Sequence, residues 1–159
     1  MLSRRDQIRM TEEERKKFLG DAQTIIITSV GPGGYPHPMP MWFGIEDDGS
    51  VVMTTFTKSQ KIRNIERDPR VSLLVESGTV YNELRGVVIY GKAELVREHE
   101  RILDILAKVT AKNAGGAGNA PDPGALRKAL LGTVPKRTGI RIRAEKIVSW
   151  DHRKLGGVY

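Results

Sequence analysis

The sequence predicts a mainly β, α+β domain: an antiparallel sheet curled into a barrel, with helices over the barrel ends or one face. Three observations carry this. About six stretches combine strand length with β-branched residues or period-two alternation. Most are joined by short turns of Gly, Pro, Asp and Ser, and strands joined by hairpins pair antiparallel and close naturally as a barrel. The length of 159 residues with 39% hydrophobic content suits one core, so residues 1–159 are read as one domain.

Taken in order, Thr11-Glu12-Glu13-Glu14 has the form of a capping box, with Thr11 as N-cap and Glu14 at the third helical position. It predicts a short helix to about residue 19, stopped by Gly20. Residues 22–30, with Ile25, Ile26, Ile27 and Thr28, read as a strand. Gly31-Pro32-Gly33-Gly34 turns the chain, and residues 36–46 resume in extended form. Pro36, Pro38 and Pro40 alternate there, so their missing N–H groups fall on one side and mark an edge or rim. Asp47-Asp48-Gly49-Ser50 is a hairpin turn into a strand at 51–56. A short helix over about 59–67 has Ser59 as N-cap and Ile62 and Ile65 facing inward, and Asp68-Pro69 ends it. Residues 71–76 form a strand, and 84–96 a longer one with Gly86 and Gly91 at bends or bulges. Ile102, Ile105, Leu106 and Val109 keep helical spacing in the longest helix, 98–112. Residues 113–124, rich in Gly, Ala and Pro, read as a mobile loop before a short helix at 125–131. In the last strand, about 138–150, Ile140 and Ile142 alternate with Arg141 and Arg143.

Composition narrows the function classes. The net charge of +7 attracts anions but is spread along the chain, with no block of like charge and no helix-turn-helix pattern. A solvated basic surface with one anion pocket is expected, and no nucleic-acid partner. No apolar run reaches the roughly 18–20 residues of a membrane span. Cysteine is absent, which excludes disulfides and thiolate metal sites and, with no apolar leader at the start, fits a cytoplasmic location. His37, His99 and His152 lie far apart without ligand spacing, so no metal is expected.

The informative stretch is 51–70. A strand ends in Thr54, Thr55 and Thr57, and Lys58-Ser59-Gln60-Lys61 opens a helix. A helix start presents free N–H groups and the positive end of the dipole to an anion. Hydroxyl donors and two lysines suit a phosphate ester. The plain alternative is that Lys58, Lys61, Arg63, Arg67 and Arg70 solvate a surface helix. Lysine is disfavoured at a helix start, so two of them there ask for a reason.

The run TTFTKSQKIRNIERDPRVSLLVE, followed by YNELRGVVIYGKAELV and closing on SWDHRKLGG, resembles the flavin/deazaflavin oxidoreductases, the split β-barrel relatives of pyridoxamine 5′-phosphate oxidase. It is most similar to the actinobacterial branch with coenzyme F420-binding members. The resemblance implies an FMN-binding-like split barrel, and a homodimer whose cofactor, F420 or FMN, lies in a groove between two protomers. It assigns the phosphate-binding element to Thr54, Thr55, Lys58, Ser59 and Lys61. It lays Pro38, Met39, Pro40, Met41 and Trp42 beside the ring, largely through backbone groups. Trp150 of the C-terminal segment either reaches the partner's groove, with Asp151, His152 and Lys154, or packs in the dimer interface.

Pyridoxamine phosphate oxidases proper carry an arginine where this chain has Gln60, and an Arg-x-Val-Leu-Leu-Lys strand where it has Met39-Pro40-Met41-Trp42-Phe43-Gly44. Oxidation of pyridoxamine phosphate is therefore not the expected reaction. The expectation is hydride transfer to or from a small conjugated substrate, with no catalytic side chain assigned because the cofactor carries the chemistry. A non-catalytic carrier of F420 or flavin would use the same residues.

Overall fold

The computed structural model describes residues 3–114 and 121–157. Among these residues seven strands form one antiparallel sheet: β1 (Thr24–Val30), β2 (Pro36–Trp42), β3 (Gly44–Ile45), β4 (Val51–Phe56), β5 (Arg70–Ser77), β6 (Arg85–Val96) and β7 (Arg137–Asp151). Their order is β2-β1-β5-β6-β7-β4-β3. The stretch expected as one strand over 36–46 is two strands, broken at the fully buried Phe43. β2 pairs with β1, whereas β3 pairs with β4, so one continuous piece of chain supplies both ends of the sheet and curls it toward closure. Together with flanking helices this is the split-barrel arrangement.

The helices are α1 (Arg4–Gln7), α2 (Glu12–Asp21), α3 (Gln60–Arg67), α4 (His99–Asn113) and α5 (Pro123–Leu130). The Thr11 capping box is present: Thr11 N–H donates to Glu14 Oε2 at 2.6 Å, and Glu14 N–H to Thr11 Oγ1 at 3.2 Å. Gly20 does not stop α2, which continues to Asp21. An added Cβ at Gly20 would meet nothing, and an i,i+4 pair between Lys17 and Asp21 (2.7 Å) supports the last turn. Of the stretch expected as a loop, residue 113 is helical and Asp122 caps α5 by accepting from Ala125 N–H. Residues 115–120 of that stretch lie outside the described residues.

The core follows the strand period. Ile25, Ile27, Leu73, Val75, Val87, Ile89, Ile140 and Ile142 point inward, and Ile62 and Ile65 of α3 join them from the barrel end. Burying each of those two isoleucines contributes about 1.5–3 kcal/mol. α4 covers the outer face of β4 and β7, packing Ile105 and Val109 on Val52. The bulge expected at Gly91 lies opposite it: Tyr90 pairs with Lys146 and Gly91 with Ala144, leaving Glu145 as the extra residue on β7. Gly86 is not a bulge. The Trp150 ring lies across it, and a Cβ there would come within 2.1 Å of the indole.

Candidate functional site

β4 delivers its hydroxyl run to an open edge. β3 pairs with β4 only at Gly44↔Val52 and Ile45↔Val51. That register, continued, would set Trp42 against Thr54 and Met41 against Thr55, but β2 turns away to pair with β1. From Met53 to Phe56, β4 therefore has β7 on one side and, among the described residues, no strand on the other. The barrel is split between β2 and the end of β4.

The strand period divides the threonines. Thr55 faces the interior with Met53, and Thr54 faces outward with Val52. Lys61, in the first turn of α3, donates from Nζ to Thr55 Oγ1 at 3.0 Å and is only 6% exposed. Thr55 Oγ1 lies 3.4 Å from Ser59 Oγ. Burial pushes the Lys61 ammonium below the ordinary lysine value, because the charged form has lost water. One of its three N–H donors is spent on Thr55, and among the described residues no carboxylate pairs with it. Ser59 occupies the N-cap position as expected, but its side chain makes no capping bond. The start of α3 is thus left to an outside acceptor. Lys58 is exposed at the same turn.

Asn64 anchors α3. It is fully buried, donates from Nδ2 to Ser29 Oγ at 3.0 Å on β1, and accepts at Oδ1 from Gln60 Nε2 (2.9 Å) and Arg67 Nη2 (3.2 Å). Arg67 also donates to the Val30 carbonyl at 2.8 Å.

Arg137 and Thr138 of β7, and Lys136 just before it, join the site without having been assigned to it from the sequence. Phe56 pairs with Arg137, and the Arg137 guanidinium donates from Nη1 to Thr54 Oγ1 at 3.3 Å. The Lys136 carbonyl accepts from Thr57 N–H at 3.0 Å, and the Thr57 and Thr138 hydroxyls are 2.9 Å apart. Lys58, Lys61, Lys136 and Arg137 share this neighbourhood, and none forms an ion pair among the described residues. The adjacent cations Lys136 and Arg137 at the start of the last strand were the available signal.

β2 forms the other wall. Pro38, Pro40 and Trp42 lie on one face, and Met39 and Met41 on the other with Ile27 and Ile25. Having no N–H, Pro36, Pro38 and Pro40 leave the free edge rich in carbonyl acceptors. Trp42 is 55% exposed. Trp150 is not brought to Lys61 within the protomer: it stands at the opposite end of β7 from Thr138.

A buried cation with unspent donors beside an uncapped helix start fits the phosphate end of a cofactor. The sequence matches the family described as pyridoxamine 5′-phosphate oxidase over residues 11–151. A conserved hypothetical protein of Mycobacterium tuberculosis is 37% identical with a TM-score of 0.87, covering 99% of this chain and 95% of that one. An F420 reductase shares the fold at 22% identity and a TM-score of 0.61, over 83% of this chain and 94% of that one. The haem storage protein of Vibrio cholerae does so at 18% identity and 0.65, over 87% and 94%. No curated protein gives a significant match. The split barrel, its order of strands and the match over most of its length together make this chain a member of the pyridoxamine 5′-phosphate oxidase family.

Proposed function

We propose that the chain is an oxidoreductase that uses coenzyme F420 or FMN, as a homodimer, on a small conjugated substrate. The observation that carries this reading is Lys61: a buried, desolvated ammonium with, among the described residues, one hydrogen bond and no counter-charge. Such a group is costly in a protein unless an anion comes to it. In this reading Lys61, Thr55 and Ser59 hold the phosphate of the cofactor tail, with Thr54 and Lys58 beside them. The backbone of Pro38, Met39, Pro40, Met41 and Trp42 would border the ring, with the carbonyls of its free edge as available acceptors. Trp150 reaches the groove from the second copy. When bound, the flavin or deazaflavin supplies hydride transfer. The chain's own residues bind, orient and exclude water, and no side chain is assigned as acid or base.

The test is to titrate FMN, FAD and F420 separately into the apo protein and follow fluorescence. Lys61→Ala is expected to weaken binding of the preferred cofactor by about 1–3 kcal/mol, the loss of one charge-assisted contact. Unchanged affinity in that variant would refute the role given to Lys61. Tight binding without turnover across a panel of quinone, enone and tetrapyrrole acceptors would leave a carrier in place of an enzyme.

A further inference from the structure

We propose that Arg137 is a second anion-binding residue of this site, closing it from the outer face of β4 as Lys61 closes it from the inner. The inference rests on the reading of Lys61 as the cofactor's phosphate site. Arg137 opens β7, and its Nη1 gives a long 3.3 Å hydrogen bond to the neutral Thr54 hydroxyl. Its Nε is buried and has no hydrogen-bond partner. No carboxylate pairs with its charge among the described residues.

Buried polar groups in native proteins are almost always satisfied, so an orphaned guanidinium N–H points to an absent acceptor. A purely structural role would be the stack of Arg137 on Phe56, 4.9 Å from ion to ring centre. Phe56 is 60% exposed, so that stack shields little, and it leaves Nε unexplained. The acceptor is anionic, because Lys58 and Lys136 stand at the same strand end without counter-charge among the described residues. Thr54 and Thr55 are consecutive and point to opposite faces, so their two cations bracket the end of β4. A phosphate ester at the open edge presents oxygens to both. The planar fork of arginine suits two oxygens of one phosphate, whereas Lys61 acts as a point charge.

The experiment titrates FMN and F420 into the full chain as wild type, Lys61→Ala, Arg137→Gln and Arg137→Lys, at low and high salt, with melting curves of each apo form. Arg137→Gln is expected to weaken the preferred cofactor about tenfold or more and to flatten the salt dependence, with the apo melting curve little changed. Arg137→Lys is expected to recover part of the loss, because lysine keeps the charge and loses the fork. If Lys61→Ala weakens binding and Arg137→Gln binds as wild type, Arg137 is a structural stack and the inference is overturned while the Lys61 reading stands. If the wild type binds neither compound, both fall. If Arg137→Gln does not fold, the wild type decides: the Arg137 Nε–H resonance shifts on adding FMN or F420, or its constancy in a chain that binds overturns the inference.

Discussion

Lys61 holds its charge where little water reaches it, and this fixes the sign of two pH effects. Its folded-state pKa lies below the ordinary 10.5 because burial disfavours the ammonium. Between the folded value and 10.5 the unfolded chain binds more protons than the folded one, so this residue's contribution to apo stability rises with pH across that window. Cofactor affinity runs the other way. An anion stabilises the ammonium, so affinity is full while free Lys61 is protonated and falls as pH rises through its lowered pKa. The wild type is therefore expected to lose affinity between neutral pH and pH 10.5 while Lys61→Met shows a flatter, weaker curve. Over the same range the apo stability difference between the two should move toward the wild type. Cofactor titrations and urea midpoints at each pH measure both. Parallel trends for affinity and apo stability would show that Lys61 does not meet the anion.

At the scale of elements, the site depends on where α3 is pinned. Ile62 and Ile65 give it adhesion, but Asn64 fixes its register against β1 through the buried Ser29 hydroxyl. Asn64→Leu keeps the branching and heavy-atom count, though not the volume, and strands that hydroxyl, which is 1% exposed, at a cost of about 1–3 kcal/mol. Urea midpoints should show the loss, and Ser29→Ala in the same chain should recover part of it. Cofactor affinity should fall in Asn64→Leu although Asn64 is assigned no contact with the ligand. Full stability with full affinity would show that Asn64 does not fix the position of α3. Much of this element pattern is legible in the sequence because its causes are local. The Thr11 capping box, the proline edge of β2, the turn at Asp47-Asp48-Gly49-Ser50 and the hydroxyl run before α3 are each written in a few neighbouring residues. What is not legible is non-local. The break at Phe43 exists because the two halves of one extended stretch pair with different strands. Arg137 meets Thr54 across 83 residues, a contact that no local pattern announces. Gly20 misled for a different reason: glycine is tolerated in a helix whose last turn is held by an ion pair.

The whole molecule raises the question of what covers the outer face of the sheet. Strand register aligns Pro40 of β2, Ile26 of β1, Leu74 of β5, Val88 of β6 and Val148 of β7 in one row. All five are apolar, and they lie on the face opposite the core residues Ile25, Leu73, Val75, Val87 and Ile89. Five strands at about 4.8 Å spacing make a row roughly 19 Å long. Tyr90, 46% exposed, stands in the next row beside Ser72. A continuous apolar band of this kind on a sheet is the mark of an interface, and a two-fold partner presents the same band in return. We therefore expect the 17.7 kDa chain to behave as a dimer, and Val88→Asp, at the middle of the band, to make it a monomer. Val88 is half-buried in the single chain, beside Arg5 and Lys146, so the substituted carboxylate keeps contact with water and cations in the monomer and loses the water in the dimer, and it acts on association more than on folding. Light scattering after gel filtration measures the mass, and far-ultraviolet circular dichroism checks that the sheet survives. A monomeric wild type would exclude the dimer outright. The variant also tests how the cofactor groove is built. If the second copy contributes Trp150 and its neighbours to the groove, dissociation should weaken the preferred cofactor about tenfold or more with Lys61 and Thr55 intact. A monomeric Val88→Asp that binds as tightly as the wild type would place the whole binding site within one chain, between β2 and the end of β4.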